Sequence, residues 1–366
     1  MKRVGILTFH TANNYGAVLQ CYALRSTFNK YADCDVINYI NSNIENRASA
    51  KRFFLLHKNF IGFIMWGLNA RAFNKRQRIF DEFREKKLKV NFSGKLFLTE
   101  DMQKLNSEYD LFVVGSDQVW NLNLTDNDIT YFLDFVCDDS KKYSYAASVG
   151  NEEVINSKTD CLELLKKFQQ ISIREKSTVD WMKRKGILNI TQNIDPVFLL
   201  DSNMWIEIAE DFIYKRKYLL FFVNGKPNKL TYNLVVKISK EKKLKILYMA
   251  NEDRFYRFPL IKHMVGISPE KFLGVIKNAS FIVTDSFHVT AFSIIFHKEF
   301  IYDDRGFYNN RVIDLTNQLR LEGRCITNYC NNDDLDATTW EQVDLRIKSQ
   351  RQIGHCYLKD ITVGNL

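Results

Sequence analysis

The feature that most restricts the fold of this chain is a recurring unit in which a short, unbroken apolar run stops at a polar loop and gives way to a helical pattern. The first copy is the run Arg3 to Thr8, the loop Phe9 to Tyr15 and a helical pattern from Gly16 to about Asn29. A strand without polar alternation is covered on both faces, and helices packed on a parallel sheet are the usual cover. Further runs in the first half are Asp35 to Tyr39, Leu111 to Gly115, Tyr143 to Val149 and Ile171 to Arg174. A second series comprises Tyr218 to Val223, Lys245 to Met249, Phe281 to Thr284 and Glu299 to Tyr302. The alternation predicts an α/β fold of parallel sheets in two doubly wound halves. The segment from Asp195-Pro196 to Lys217 is expected to carry the crossover between them, because Pro196 disfavours a continuing helix. The expected organisation is an N-terminal domain over residues 1–200, a C-terminal domain over 215–335 and a helical tail over 336–366.

With 366 residues, 46% of them hydrophobic, the chain has enough apolar material for two cores. No run approaches the roughly 20 apolar residues of a membrane span, and Met1-Lys2-Arg3 leads directly into a strand, which argues for a cytoplasmic protein. The seven cysteines are scattered and form no CxxC pair, so they are expected to be reduced thiols rather than disulfides or metal ligands. The formal charge of +9 is spread along the chain without a nucleic-acid motif, which sets nucleic acid aside as a partner. One segment, Lys51 to Lys89, combines Phe53, Phe54, Phe60, Phe63, Trp66 and Phe73 with dense lysine and arginine. It reads as a basic, aromatic helical insertion at about 50–90, which either lies on an anionic membrane surface or packs on the first domain with its charges in water.

Three loops at strand ends carry the candidate chemistry. At Thr284-Asp-Ser-Phe-His288, an apolar strand turns into a helix, and unpaired N–H groups with the positive end of the helix dipole make an anion site. Ser286 can cap that helix and His288 sits in its first turn; the plain alternative is an ordinary cap and a surface histidine. In the first half, His10, Asn13, Asn14 and Tyr15 precede Gly16 without the glycine spacing of a dinucleotide site or the lysine of a P-loop. Their side chains suit sugar hydroxyls, or equally a turn that satisfies its own backbone. In Val114-Gly-Ser-Asp-Gln-Val-Trp-Asn121, Asp117 and Asn121 can hold a hydroxyl and Trp120 can stack on a sugar, or be a core residue. Arg174 can grip a carboxylate or phosphate through two hydrogen bonds, or pair with Glu175.

Asn13-Asn-Tyr-Gly-Ala-Val-Leu-Gln20, Gly115-Ser-Asp-Gln-Val-Trp-Asn121, Ser172-Ile-Arg-Glu175, Asp195-Pro-Val-Phe-Leu-Leu200 and Thr284-Asp-Ser-Phe-His288, in this order, resemble the polysaccharide pyruvyl transferase family. The resemblance runs from about Arg3 to Asn310-Arg311. It implies two Rossmann-like domains facing across a cleft, similar to the type B glycosyltransferase (GT-B) architecture. It also implies phosphoenolpyruvate as donor, a sugar or lipid-linked oligosaccharide of a bacterial surface glycan as acceptor, and no metal or cofactor. Carried over to this chain, the donor-binding arginine is Arg174 and the donor-binding histidine is His288. Where better-studied members have an arginine two residues before that histidine, this chain has Ser286, so Arg305 or Arg311 is expected to substitute. His10 and Asp117 are the candidate proton-transfer groups, and Asn13, Asn14, Tyr15, Trp120 and Asn121 the candidate acceptor contacts. The rival readings are a GT-B glycosyltransferase using a nucleotide sugar and a non-catalytic glycan-binding protein.

A membrane role for Lys51 to Lys89 predicts that the protein sediments with anionic vesicles at low salt and is released as ionic strength rises, since the Debye length shrinks from about 30 Å at 0.01 M to about 8 Å at 0.15 M. A protein that stays in the supernatant at low salt excludes that role.

Overall fold

The computed structural model describes residues 1–46, 74–90, 99–150, 152, 155, 159–224, 227–250, 261–264, 266–305, 310–332 and 339–364. Among them the strands are β1 (Arg3–Leu7), β2 (Asp33–Val36), β3 (Leu111–Val114), β4 (Lys142–Ser144), β5 (Ile171–Ile173), β6 (Ile190–Gln192), β7 (Tyr218–Val223), β8 (Lys245–Ala250), β9 (Lys262–His263), β10 (Phe281–Thr284) and β11 (Phe300–Tyr302). They form a parallel sheet in the order β2-β1-β3-β4, a parallel pair β5-β6, and a second parallel sheet in the order β11-β10-β7-β8-β9. Single bridges from Tyr143 to Gln170 and from Ala147 to Ile173 attach the β5-β6 pair to the first sheet. Every residue of β3, β7 and β10 is buried, as the unbroken apolar runs predict.

The short elements are where the sequence reading differs. The expected run Asp35 to Tyr39 is displaced: β2 spans Asp33–Val36, and beyond it the Ile37 N–H donates to the Ile6 carbonyl. Neither β6 nor β9 is anticipated. Thr191 and Lys262 point to water, so neither strand offers an apolar run to read.

The first helix, Tyr15–Phe28, turns one side to each body of the protein. Leu24 and Phe28 pack with Val4, Ile6 and Val113 of the first sheet. Tyr15, Val18 and Leu19 belong to the large core that contains Phe272, Phe287 and Phe292 of the second half. The Tyr15 ring lies parallel to that of Phe272 at 4.3 Å between centroids, and its hydroxyl donates to the Ile267 carbonyl at 3.2 Å.

The connection between the sheets carries the single turn Pro196–Phe198 and the helix Ser202–Ile208, capped by Asp201. A 24-residue helix, Trp340–Val363, then returns across the molecule. Val343 and Ile347 join Val312 and Leu315 of the second half, whereas Tyr357, Leu358 and Ile361 close the core around β1 and β3. Among the described residues no helix is long and apolar enough to cross a membrane.

Phe53, Phe54, Phe60, Phe63, Trp66 and Phe73 of the basic aromatic segment lie outside the described residues. Its last part, a helix over residues 74–83 continuing into a π-helical turn at Arg84–Leu88, packs on the first domain. Arg84 is buried there, where it donates to the carbonyls of His10 and Thr11 and to Asn13 Oδ1, each at 2.7 Å, and pairs with Asp81. Arg76 donates to the Asn13 carbonyl at 2.8 Å. These two arginines hold the loop after β1 rather than facing solvent.

Leu358→Ala, which empties a fully buried position between the returning helix and the first sheet, is expected to lower stability by about 2–5 kcal/mol in urea unfolding. A change well under 1 kcal/mol would show that the helix does not contribute to that core.

Candidate functional site

Two helix N-termini and one strand end meet at the carboxyl edges of the sheets. After β10, the Ser286 N–H donates to Thr284 Oγ1 at 3.0 Å and Ser286 Oγ accepts from the Val289 N–H, so Ser286 is the cap of the helix Phe287–Ile295. Across the cleft, Asn14 Oδ1 accepts from the N–H groups of Gly16 and Ala17 and caps Tyr15–Phe28. The His288 ring rests against the Gly16 backbone, because a Cβ at Gly16 would fall 2.0 Å from His288 Nδ1. Only glycine lets the two helix starts come this close.

Between them lies a buried set of charges. Arg174 follows β5 and donates from Nη1 to Asp195 Oδ2 at 2.7 Å and from Nε to Glu175 Oε1 at 3.0 Å. Its guanidinium carbon stands 4.4 Å from the centroid of the Phe287 ring. The Asp195 side chain is 0% exposed; Oδ1 accepts from the Val197 N–H, and Oδ2 lies 3.8 Å from His288 Nε2. Arg311 completes the set: its Nη1 is 3.9 Å from Asp117 Oδ1.

The electrostatics follow from burial and these neighbours. Burial opposes the charge on Arg174, but Glu175 and Asp195 outweigh it and its pKa is raised. For His288, burial dominates and lowers the pKa despite Asp195 and Asp117, with Arg174 and Arg311 adding to the fall. Burial therefore favours the neutral imidazole at pH 7. Burial, then the charge of Arg174, lowers the pKa of Arg311. Four polar atoms here have no hydrogen-bond partner: Arg174 Nη2, His288 Nε2, Glu175 Oε2 and Asn121 Oδ1. Unmatched buried polar atoms each cost on the order of 1–3 kcal/mol, and their concentration in one place marks where a ligand would supply partners.

The structure thus brings together Arg174, Ser286, His288, Arg311 and Asp117. It also corrects several sequence expectations. Arg305 is not at this site: it is tied to Asp303 and to Thr231 Oγ1 at the end of β11. His10 does not open into the cleft; it is fully buried, with Nε2 3.0 Å from Asn38 Oδ1, and burial lowers its pKa to about 4. Trp120 is also fully buried, donating to the Tyr131 carbonyl and packed against Phe132 and Phe168, so neither ring face meets a sugar. Asn13 and Asn14 hold Arg84 and a helix start, and Tyr15 holds the two domains together. Asn121 stays near the site, buried, with its Oδ1 unmatched. The crevice is not an uncompensated cationic patch either, since Arg174 and Arg311 face Asp117, Glu175 and Asp195.

Asp195, Glu175 and Gly16 were missed as site residues. Asp195 opens the crossover before Pro196, and only its contacts with Arg174 and His288, distant in sequence, reveal its role. Among the described residues no His, Cys, Asp and Glu side chains are grouped to hold a metal ion.

A model of the polysaccharide pyruvyl transferase family matches residues 14–302. Solved structures of similar shape include the UDP-N-acetylglucosamine 2-epimerase of Rickettsia bellii, with a TM-score of 0.53 at 11% identity over 99% of this chain and 98% of that one. The UDP-GlcNAc 2-epimerase of Methanocaldococcus jannaschii gives 0.54 at 13% identity over 95% and 92%. The S. aureus MnaA-UDP co-structure gives 0.53 at 10% identity over 100% and 91%. At such identities the likeness is one of fold, two Rossmann-like domains facing across a cleft in the GT-B manner. No curated protein matches the chain.

The lowered pKa of His10 makes a stability prediction. A histidine held neutral in the folded state contributes stability that is fully present above its unfolded pKa of about 6.5 and is lost as pH falls from there toward its folded value of about 4. Between pH 7.5 and pH 5 the protein should lose about 2 kcal/mol through this residue in urea unfolding, and His10→Gln should lose correspondingly less over the same interval. Equal acid sensitivity in both proteins would contradict the burial of a neutral ring.

Proposed function

The chain belongs to the polysaccharide pyruvyl transferase family, and from that premise we propose that it transfers the three-carbon unit of phosphoenolpyruvate to a sugar as a cyclic ketal, releasing phosphate. The observation that carries this reading is the convergence of Arg174, Arg311, neutral His288 and the capped start of Phe287–Ile295, with Arg174 Nη2 and His288 Nε2 buried and unmatched. Phosphoenolpyruvate is small and rich in hydrogen-bond acceptors, the complement of such a set.

In the reaction, a proton adds to the methylene carbon and leaves an oxocarbenium-like centre at the carbon bearing phosphate. A sugar hydroxyl attacks that centre, phosphate departs, and a second hydroxyl closes the ring. Arg174 holds a carboxylate or phosphate edge, and Arg311 takes the part of the arginine that other members carry at the position of Ser286. Protonated on Nε2, the nitrogen nearer Asp195, neutral His288 donates a hydrogen bond to the departing phosphate without first giving up a charge. Donors fixed by folding cost no reorganisation as negative charge shifts during transfer. The scheme needs no metal or cofactor. A cytoplasmic location suits a phosphorylated metabolic donor, with a surface-glycan precursor, free or lipid-linked, as acceptor.

The test is release of inorganic phosphate from phosphoenolpyruvate in the presence of a panel of p-nitrophenyl hexosides and lipid-linked sugars. Turnover of a UDP-sugar in its place would convert the reading to glycosyl transfer, and sugar binding without any turnover would convert it to a glycan-binding protein. Arg174→Ala is the wrong variant, because leaving Asp195 and Glu175 unpaired and buried costs on the order of 3–5 kcal/mol. Arg174→Lys keeps a positive charge and removes the planar fork, so turnover should fall on the order of 10²- to 10³-fold while the protein stays folded by circular dichroism.

A further inference from the structure

The unmatched atoms of the site sort by chemistry: two of them, Glu175 Oε2 and Asn121 Oδ1, can only accept and have no role in holding the donor, and of these only the carboxylate can take up a proton. Arg174 Nη2 can only donate; His288 Nε2 donates in the tautomer assigned above. Glu175 Oε2 can only accept, and the Glu175 side chain is 6% exposed. Phosphoenolpyruvate is itself a set of acceptors, so it satisfies the first two and not the third. A hydroxyl satisfies the third.

The fold keeps this carboxylate from being spent elsewhere. Glu175 occupies the cap position of the helix Lys176–Arg184, yet its side chain makes no capping bond. Asp314 reaches over from the second half of the molecule to the start of this helix, where the backbone N–H groups of Lys176 and Ser177 favour its charge and Ser177 Oγ lies 3.5 Å from its Oδ2. Released from capping, Glu175 turns Oε1 to Arg174 Nε and leaves Oε2 open beside the guanidinium that holds the donor.

We infer that Glu175 accepts the hydrogen bond of the attacking sugar hydroxyl and takes its proton as the new C–O bond forms. This rests on the ketal-forming reading. As the sugar oxygen bonds to the central carbon of the donor, the O–H bond breaks and its proton passes to Glu175 Oε2. The bond from carbon to the phosphate oxygen then breaks with its electron pair, and Glu175 returns the proton to the departing phosphate. The proton of the second hydroxyl, lost at ring closure, balances the one gained by the methylene carbon. Each turnover therefore regenerates the carboxylate and consumes no other reactant.

Glu175→Gln keeps an oxygen to accept from Arg174 Nε and removes the basic carboxylate. It should retain the thermal stabilisation that phosphoenolpyruvate gives the unaltered protein, while phosphate release with p-nitrophenyl hexosides falls on the order of 10²- to 10⁴-fold. In Glu175→Ala, added sodium formate should restore part of the rate, and it should restore none in Arg174→Lys. Turnover of Glu175→Gln at the unaltered rate overturns the inference. So does loss of phosphoenolpyruvate binding in step with turnover, which would reduce Glu175 to a support for Arg174. If the unaltered protein neither binds nor consumes phosphoenolpyruvate, the functional reading and this inference fall together, and that result precedes any variant.

Discussion

One carboxylate, that of Asp195, holds the parts of the cleft in register. It comes from the crossover between the sheets, takes the guanidinium of Arg174 from the first half and faces His288 from the second. A carboxylate shut away from water without partners is costly; here the Arg174 guanidinium at 2.7 Å and the Val197 N–H supply them. Ser116 Oγ stands a further 3.5 Å away. Each of these neighbours lies on a different segment, so the charge is stable only when the segments have all arrived. The two guanidiniums are met by three carboxylates. Affinity for an anion here has to come from aimed N–H groups and helix starts rather than from surplus positive charge.

Much of the frame was legible in the amino-acid order because burial on both faces demands continuous apolar runs, and β3, β7 and β10 have them. The capped helix start at Ser286 was legible for a related reason, since a cap and a strand end leave local signatures. Functions set by distant partners were not. Arg305 and Arg311 are equivalent in the linear text, and only their partners tell them apart, Asp303 and Thr231 for the first and Asp117 for the second. Trp120 and His10 sit in loops that follow strands, which looks like a cleft position. Both point back into the domain, where indole and neutral imidazole find buried carbonyl or amide partners.

The same frame serves proteins named as UDP-N-acetylglucosamine 2-epimerases, so the architecture by itself selects no reaction. What distinguishes this chain is chemistry at the strand ends. The close seating of His288 on Gly16 joins the two helix starts physically, which makes the site a product of both domains. A substitution that merely tilted one domain would disturb it as surely as one in the cleft.

The returning helix has a consequence for how the molecule is made. Lys2 Nζ reaches the Ile361 carbonyl at 3.4 Å, and Tyr357, Leu358 and Ile361 fill the core beside β1. On the ribosome, the first sheet must therefore wait, with one flank uncovered, through the synthesis of more than two hundred intervening residues. The second half can complete its own sheet earlier, which inverts the usual order in which the leading part of a nascent chain settles first.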